Sequence, residues 1–325
     1  MHPLVARIHP SYRTAFVAWF VTRSLLWMTA AASGHAFLSE ISASLENFDG
    51  GAPAWGLLVH VLSALGDHGP MVLAALGEVA LLAATVGVYR FVRRDQLPQT
   101  ADRATWLWAA CPAMVFTLPA ADWTFAIALS AVALAALSSS RHIAASVILA
   151  GAMAFKPEVM LLWPGFALLG WKNYQPAKQH PASPWVTTLG PPAAFSAVVL
   201  GAMSMAGRFG VSLRTLPSGS QWREGLAWQG FSAHVPDFFL LSAAVVGVCL
   251  IVTNVKQVPK AWALMAVPCL AWPFLLEPPT AAVATLLLSV PLFGYLARAT
   301  NDPSLERAVL VGFVGGLMLL MVVGF

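Results

Sequence analysis

Four side chains in this 325-residue sequence have types and spacing suited to polar chemistry in otherwise apolar surroundings. Asp49 lies in S-L-E-N-F-D-G-G-A-P-A-W (44–55), beside two glycines and a proline. Asp122 lies in T-L-P-A-A-D-W (117–123), and Lys156 and Glu158 in F-K-P-E-V (155–159). A carboxylate whose pKa is lifted by burial can take the proton from a hydroxyl, and an ammonium group can neutralise a phosphate. The plainer reading is that these are turn residues, polar because water reaches them. A further group occupies residues 207–236, where Arg208, Arg214 and Arg223 alternate with Trp222, Trp228 and His234. Guanidinium groups and aromatic faces suit lipid phosphates and sugar rings; they equally suit an interfacial aromatic belt with snorkelling arginines. No pair among the eight histidines has H-x-x-x-H spacing, so no zinc site is expected.

The elements that must hold these residues are set by composition. Hydrophobic residues make up 58% of the chain and charged residues 10%, against about 25% charged in an ordinary soluble domain. Mean hydropathy is +0.73. With roughly 20 apolar residues needed per crossing, the chain is expected to be an all-α, polytopic membrane protein with a single transmembrane domain over 1–325. Apolar runs fall at 14–34, 70–92, 104–119, 123–138, 142–155, 158–171, 186–206, 238–255, 261–276, 280–297 and 307–325. That pattern predicts about eleven transmembrane helices joined by short loops, the shorter ones tilted, broken or partly re-entrant. The stretch 54–66 is too short to cross and is predicted to be a re-entrant or interfacial helix. The first run carries Arg23 and no small-residue cleavage site, so it reads as a retained helix. Cys111, Cys249 and Cys269 lie in apolar runs without metal-ligand spacing and read as small core residues.

Alternating sides from a cytoplasmic N-terminus puts thirteen of the Lys and Arg residues inside and four outside, with Arg23 within the first helix. Inside are Arg90, Arg93, Arg94, Arg103 and Arg298, among others; outside are Lys156, Arg208, Arg214 and Arg223. This is the positive-inside pattern of a plasma-membrane protein, and it makes nucleic-acid binding an unnecessary explanation for a pI near 9.2. The acids sort oppositely: Asp49, Asp122 and Glu158 fall on the outer side. The charges inside apolar runs, Arg23 and Glu78, are costly alone and are expected either to pair structurally or to serve a polar cavity.

The order of these features resembles the GT-C glycosyltransferases, and most closely the bacterial relatives of the phosphatidylinositol-glycan class V (PIG-V) mannosyltransferases. Arg23 matches the family's first-helix Arg, and N-F-D-G-G its W-D-G motif with Phe48 for Trp. Y-R-F-V-R-R-D matches its basic turn, and C-P-A-M-V-F-T-L-P-A-A-D-W-T-F its Pro–acid segment, with Asp122 at the acidic position. Lys156–Pro157 stands for a later Arg–Pro, and L-L-L-S-V-P-L-F-G-Y-L-A-R-A is similar to its late helix. The similarity covers most of 14–170 and, weakly, 240–298. It implies inverting transfer of mannose from a polyprenyl-phosphate donor to a lipid, glycan or protein acceptor at the extracytoplasmic face. It further implies Asp49 as general base, Asp122 as second catalytic acid, and the leaving phosphate neutralised by cations of the chain or by a divalent metal, Mg or Mn. On this reading Lys156, Glu158, Arg208, Arg214, Trp222, Arg223 and His234 bind substrate.

The sequence also departs from the family pattern. Ala120 and Ala121 replace the Tyr and Ser/Thr before the second acid, and P-P-T-A-A-V-A-T-L replaces an Arg-Tyr. These departures give a second reading, a catalytically silent GT-C-like membrane partner or scaffold of another glycosylation enzyme. A lipid or solute transporter is a third, disfavoured by the few intramembrane charges and the lack of a visible inverted repeat.

Overall fold

A computed structural model of the chain describes residues 10–33, 41, 53–117, 122–176, 179–209, 235–254, 256–275 and 285–323. Among the described residues all regular structure is helical, as the composition predicts. In chain order the helices are α1 Pro10–Ala32, α2 Pro53–Ser63, α3 Gly69–Asp95, α4 Pro98–Ala109, α5 Asp122–Ser138, α6 His142–Phe155 and α7 Trp163–Lys172. They continue with α8 Ser183–Phe209, α9 Val235–Asn254, α10 Lys260–Leu275, α11 Thr285–Leu288, α12 Val290–Ala299 and α13 Pro303–Val323. Short 3-10 turns at Gly66–His68, Pro112–Thr117 and Pro157–Leu162 break the pattern. By length and composition, Tyr12–Ala32 and Gly66–Asp95 are the two described stretches able to cross a membrane.

Proline sets many of the boundaries. It stands in the first turn of α3, α4, α7 and α12, where its missing N–H has no partner to lose. The residue before a proline is pushed to extended backbone: Leu97 (ψ 155°) ends the linker before α4, and Lys156 (φ −144°, ψ 117°) ends α6 before Pro157. Hydroxyls inside the apolar helices are satisfied by their own backbone. Thr22, Thr85, Thr105 and Ser130 each donate to the carbonyl four residues earlier at 2.7 Å, which hides the polar group without a partner helix.

The central helix is α5, whose alanines at 126, 128, 131, 133 and 135 are all buried. It lies between α3 and α6, and small residues permit the approach. A Cβ built on Gly87 of α3 would sit 2.8 Å from the Ala131 carbonyl oxygen of α5, so this crossing is open only to glycine. Outside this layer α1 packs on α3 and α4, α8 on α6 and α7, and α10 on α7 and α12. The far side closes where the Trp262 ring lies 5.0 Å from Phe91 and 6.2 Å from Tyr295, and where Trp108 donates its indole N–H to the Leu287 carbonyl at 3.1 Å.

The C-terminal end of α5 is a left-handed turn. Ser140 has φ 59°, its N–H donates to Leu137 O at 3.0 Å, and that of Arg141 to Ala136 O at 3.0 Å. These are the two bonds of a Schellman cap, with serine at the position that glycine usually fills.

Candidate functional site

The first residue of α5 and the residue following α6 meet at one end of the bundle. Lys156 Nζ lies 2.8 Å from Asp122 Oδ2, with the side chains 12% and 20% exposed. Each group is also held by its own element. Asp122 Oδ1 accepts the N–H of Trp123 at 2.8 Å, and a carboxylate at a helix N-terminus is favoured by the macrodipole. Lys156 Nζ sits 4.9 Å from the centre of the Trp123 ring, within reach of a cation–π attraction. Two residues on, Glu158 has a buried Oε2 with no hydrogen-bond partner among the described residues.

Apolar packing fixes this end. Phe155, immediately before Lys156, stacks on Phe125 at 5.4 Å, and Phe125 lies 6.3 Å from Trp55 of α2. With Trp55, Ile41, Val59, Leu62 and Leu73 form a separate small core that Phe125 and Phe155 join. The short helix predicted from 54–66 is thereby packed beside the Asp122–Lys156 pair.

A second ion pair lies within the bundle. Arg23 Nε donates to both Glu78 oxygens at 3.0 Å, and Nη2 reaches Oε1 at 2.6 Å. The Trp27 indole adds a bond to Oε1 at 2.8 Å. Arg23 Nη1 donates to Thr117 Oγ1 at 3.0 Å, and Thr124 Oγ1 donates to the Thr117 carbonyl at 3.1 Å. Thr124 is two residues beyond Asp122, so the interior pair and the end pair brace the same segment from both sides. Of the two outcomes open for Arg23 and Glu78, this is the structural pairing.

Of the residues singled out from sequence, Asp122, Lys156 and Glu158 are described and lie at this one end. Asp49, Arg214, Trp222, Arg223 and His234 lie outside the described residues. Arg208 falls in the last turn of α8, and its side chain is likewise not described. Sequence reasoning missed Trp123, Thr117 and Thr124; the available signal was a Trp directly after the acid, with threonines flanking the turn.

The polar groups described at this end are a carboxylate–ammonium pair and a second carboxylate. Asp122 Oδ2 is taken by an ammonium group, and among the described residues no three His, Cys, Asp or Glu side chains converge. The arrangement can engage an anion and hydroxyls. An ammonium has three donors, of which Asp122 takes one, and Glu158 Oε2 is an acceptor without a donor. No protein-family model matches the chain, and no curated protein matches it.

Proposed function

We propose that the chain is a polytopic membrane glycosyltransferase of GT-C type. It transfers a sugar, mannose by resemblance, from a polyprenyl-phosphate donor to a lipid, glycan or protein acceptor. The reaction is placed at the extracytoplasmic face of the plasma membrane, with the N-terminus cytoplasmic. A membrane setting is supported by large apolar side chains that face outward from packed helices, such as Met28, Val79 (65% exposed), Ile143 and Val311 (71%). Soluble monomers rarely leave such surfaces uncovered. Orientation is supported by the ends of the bundle: Asp122, Lys156 and Glu158 are at one, while Arg103 bonds Glu306 and Asn301, and Arg298 bonds Gln96, at the other.

The observation that carries the proposal is the Asp122–Lys156 pair beside α2. Asp49 is joined to Pro53, the first residue of α2, by four peptide units, which span at most about 14 Å. That length of chain permits a base in the Asp49 loop to approach a donor phosphate lying against Lys156. In this mechanism Asp49 removes the acceptor hydroxyl proton as the oxygen attacks the anomeric carbon from the face opposite the leaving group. The C–O bond to the lipid phosphate breaks, and the Lys156 ammonium stabilises the charge left on that phosphate. Glu158 accepts a hydrogen bond from a sugar hydroxyl.

The test is transfer from labelled polyprenyl-phosphate mannose by membranes carrying Asp49→Ala. Loss of a general base lowers the rate by about 10²–10⁴-fold, with the amount of membrane-integrated protein unchanged. Full transfer by the folded variant refutes the assignment. One observation favours the silent-partner reading: Lys156 and Asp122 neutralise each other, as a purely structural pair does. A stoichiometric copurifying protein, with no transfer by the wild-type chain, would decide for that reading.

A further inference from the structure

We propose that the end of the bundle opposite Asp122 holds a second site, one that binds a phosphate group carried by an anionic lipid headgroup or by a soluble phosphate. The site is a cavity of about 260 Å³ formed where three helix ends meet. Tyr12 comes from the start of α1, Tyr89, Arg90, Arg93 and Arg94 from the last turns of α3, and Ser138 and Ser139 from the end of α5. Asp122 and Ser138 are the first and last residues of α5, so the two sites are separated by about 24 Å of helix. The proposal does not depend on the transfer reaction.

Charge points to the ligand. Positions 90, 93 and 94 share one helix face, where like charges repel, and none of the three arginines forms an ion pair among the described residues. Asp102 acts electrostatically on Tyr89, and Arg93 both acts on it electrostatically and hydrogen-bonds it. Cations in a last helical turn complement the macrodipole, but this does not account for the hydroxyl groups of four residues gathered around them. Tyr89 is buried to 7% exposure, and its ring meets that of Tyr12 edge-on at 6.4 Å.

The serine wall has donor capacity to spare. Ser138 and Ser139 both donate to the Ala135 carbonyl, at 2.8 and 2.9 Å. One of them can turn to a ligand without leaving that oxygen unsatisfied. Both serines line the cavity at the end of α5, just before the left-handed turn at Ser140. Guanidinium forks and hydroxyl donors around a small open cavity are the chemistry of phosphate recognition.

The experiment follows unfolding of the purified full chain in uncharged detergent, at fixed ionic strength. Added ligands are inorganic phosphate, phosphatidylglycerol or phosphatidylcholine, with sodium chloride as the salt control. Variants are Arg90→Gln and Arg94→Gln, both at exposed positions, with Lys172→Gln, outside the cavity, as control. Saturable stabilisation is expected from an added phosphate but not from phosphatidylcholine or chloride, with apparent affinity about tenfold weaker in each Arg variant. Stabilisation by both inorganic phosphate and phosphatidylglycerol assigns a soluble phosphate; stabilisation by phosphatidylglycerol alone assigns a lipid headgroup. The proposal is overturned if neither exceeds its control, if both Arg variants bind as the wild type does, or if Lys172→Gln weakens binding as much. Should one Arg variant fail to fold, retention of phosphatidylglycerol by the other in native mass spectrometry gives the same decision.

Discussion

Deleting one charge of the Lys156–Asp122 pair tests whether this contact organises the site or only decorates it. The charges are 2.8 Å apart, and their side chains keep 12% and 20% of their exposure. At an effective dielectric of about 20 the attraction amounts to about 6 kcal/mol, much of it offset by desolvation. Losing one partner costs about 3–5 kcal/mol for a buried pair, and a solvated pair contributes about 0–1 kcal/mol. The intermediate burial here gives about 2–3 kcal/mol for Asp122→Asn. Lys156→Met also gives up the contact with the Trp123 ring at 4.9 Å, a further loss of about 0.5–1 kcal/mol. The double variant carries neither charge and should be less destabilised than the two losses added together, by about 2 kcal/mol. Denaturant unfolding of the four proteins in micelles measures this coupling. Strict additivity would refute the reasoning, since it would mean that the two charges do not feel each other. The same variants separate structure from chemistry. If Lys156 stabilises the leaving phosphate, Lys156→Met loses turnover about 10²-fold more than Asp122→Asn at equal folded fraction; equal losses would leave the pair a purely structural role.

Glu78→Gln should be among the most disruptive interior changes, at about 3–5 kcal/mol, because it leaves Arg23 buried without its carboxylate; Arg23→Leu combined with Glu78→Leu should unfold later than Glu78→Gln alone. Ser140→Gly should stabilise by about 1 kcal/mol, since glycine adopts the left-handed conformation at φ 59° without a Cβ penalty; a lower unfolding midpoint would mean that the serine side chain contributes more than its strain costs. The Asp302 carboxyl is held below the usual carboxylate range by the Ser304 hydroxyl and by the N–H groups of Ser304 and Leu305. A depressed pKa stabilises the fold above the unfolded value and is lost as pH falls through the folded one. Protection of amides in the first turn of α13, relative to their intrinsic exchange rates, should therefore decrease below about pH 4, and Asp302→Ala should remove that step.

The helical class and the places where helices begin and end were legible in the sequence, because both depend on local chemistry. The apolar runs match helices among the described residues, and Pro98, Pro157 and Pro164 mark boundaries through the φ restriction and missing N–H of proline. The Arg23–Glu78 pair was legible as one of two outcomes, since two opposite charges in apolar runs must either pair or face a polar cavity to avoid desolvation. The Lys156–Asp122 bond was not. Sequence put both residues in turns on one side, but the 2.8 Å contact depends on how Phe125, Phe155 and Trp55 pack that end.

The same division runs through the whole molecule. Composition and periodicity determine an all-helical, strongly apolar chain, because hydrophobicity and backbone hydrogen bonding act residue by residue. Tertiary structure alone decided that Lys156 meets Asp122 and lies over the Trp123 ring. It also decided that Gly87 admits the Ala131 carbonyl of its neighbour, and that three arginines on α3 face hydroxyls from α1 and α5 across a cavity. These are contacts between elements far apart in sequence. They follow from which helix faces are small enough to approach closely, and no local pattern records that.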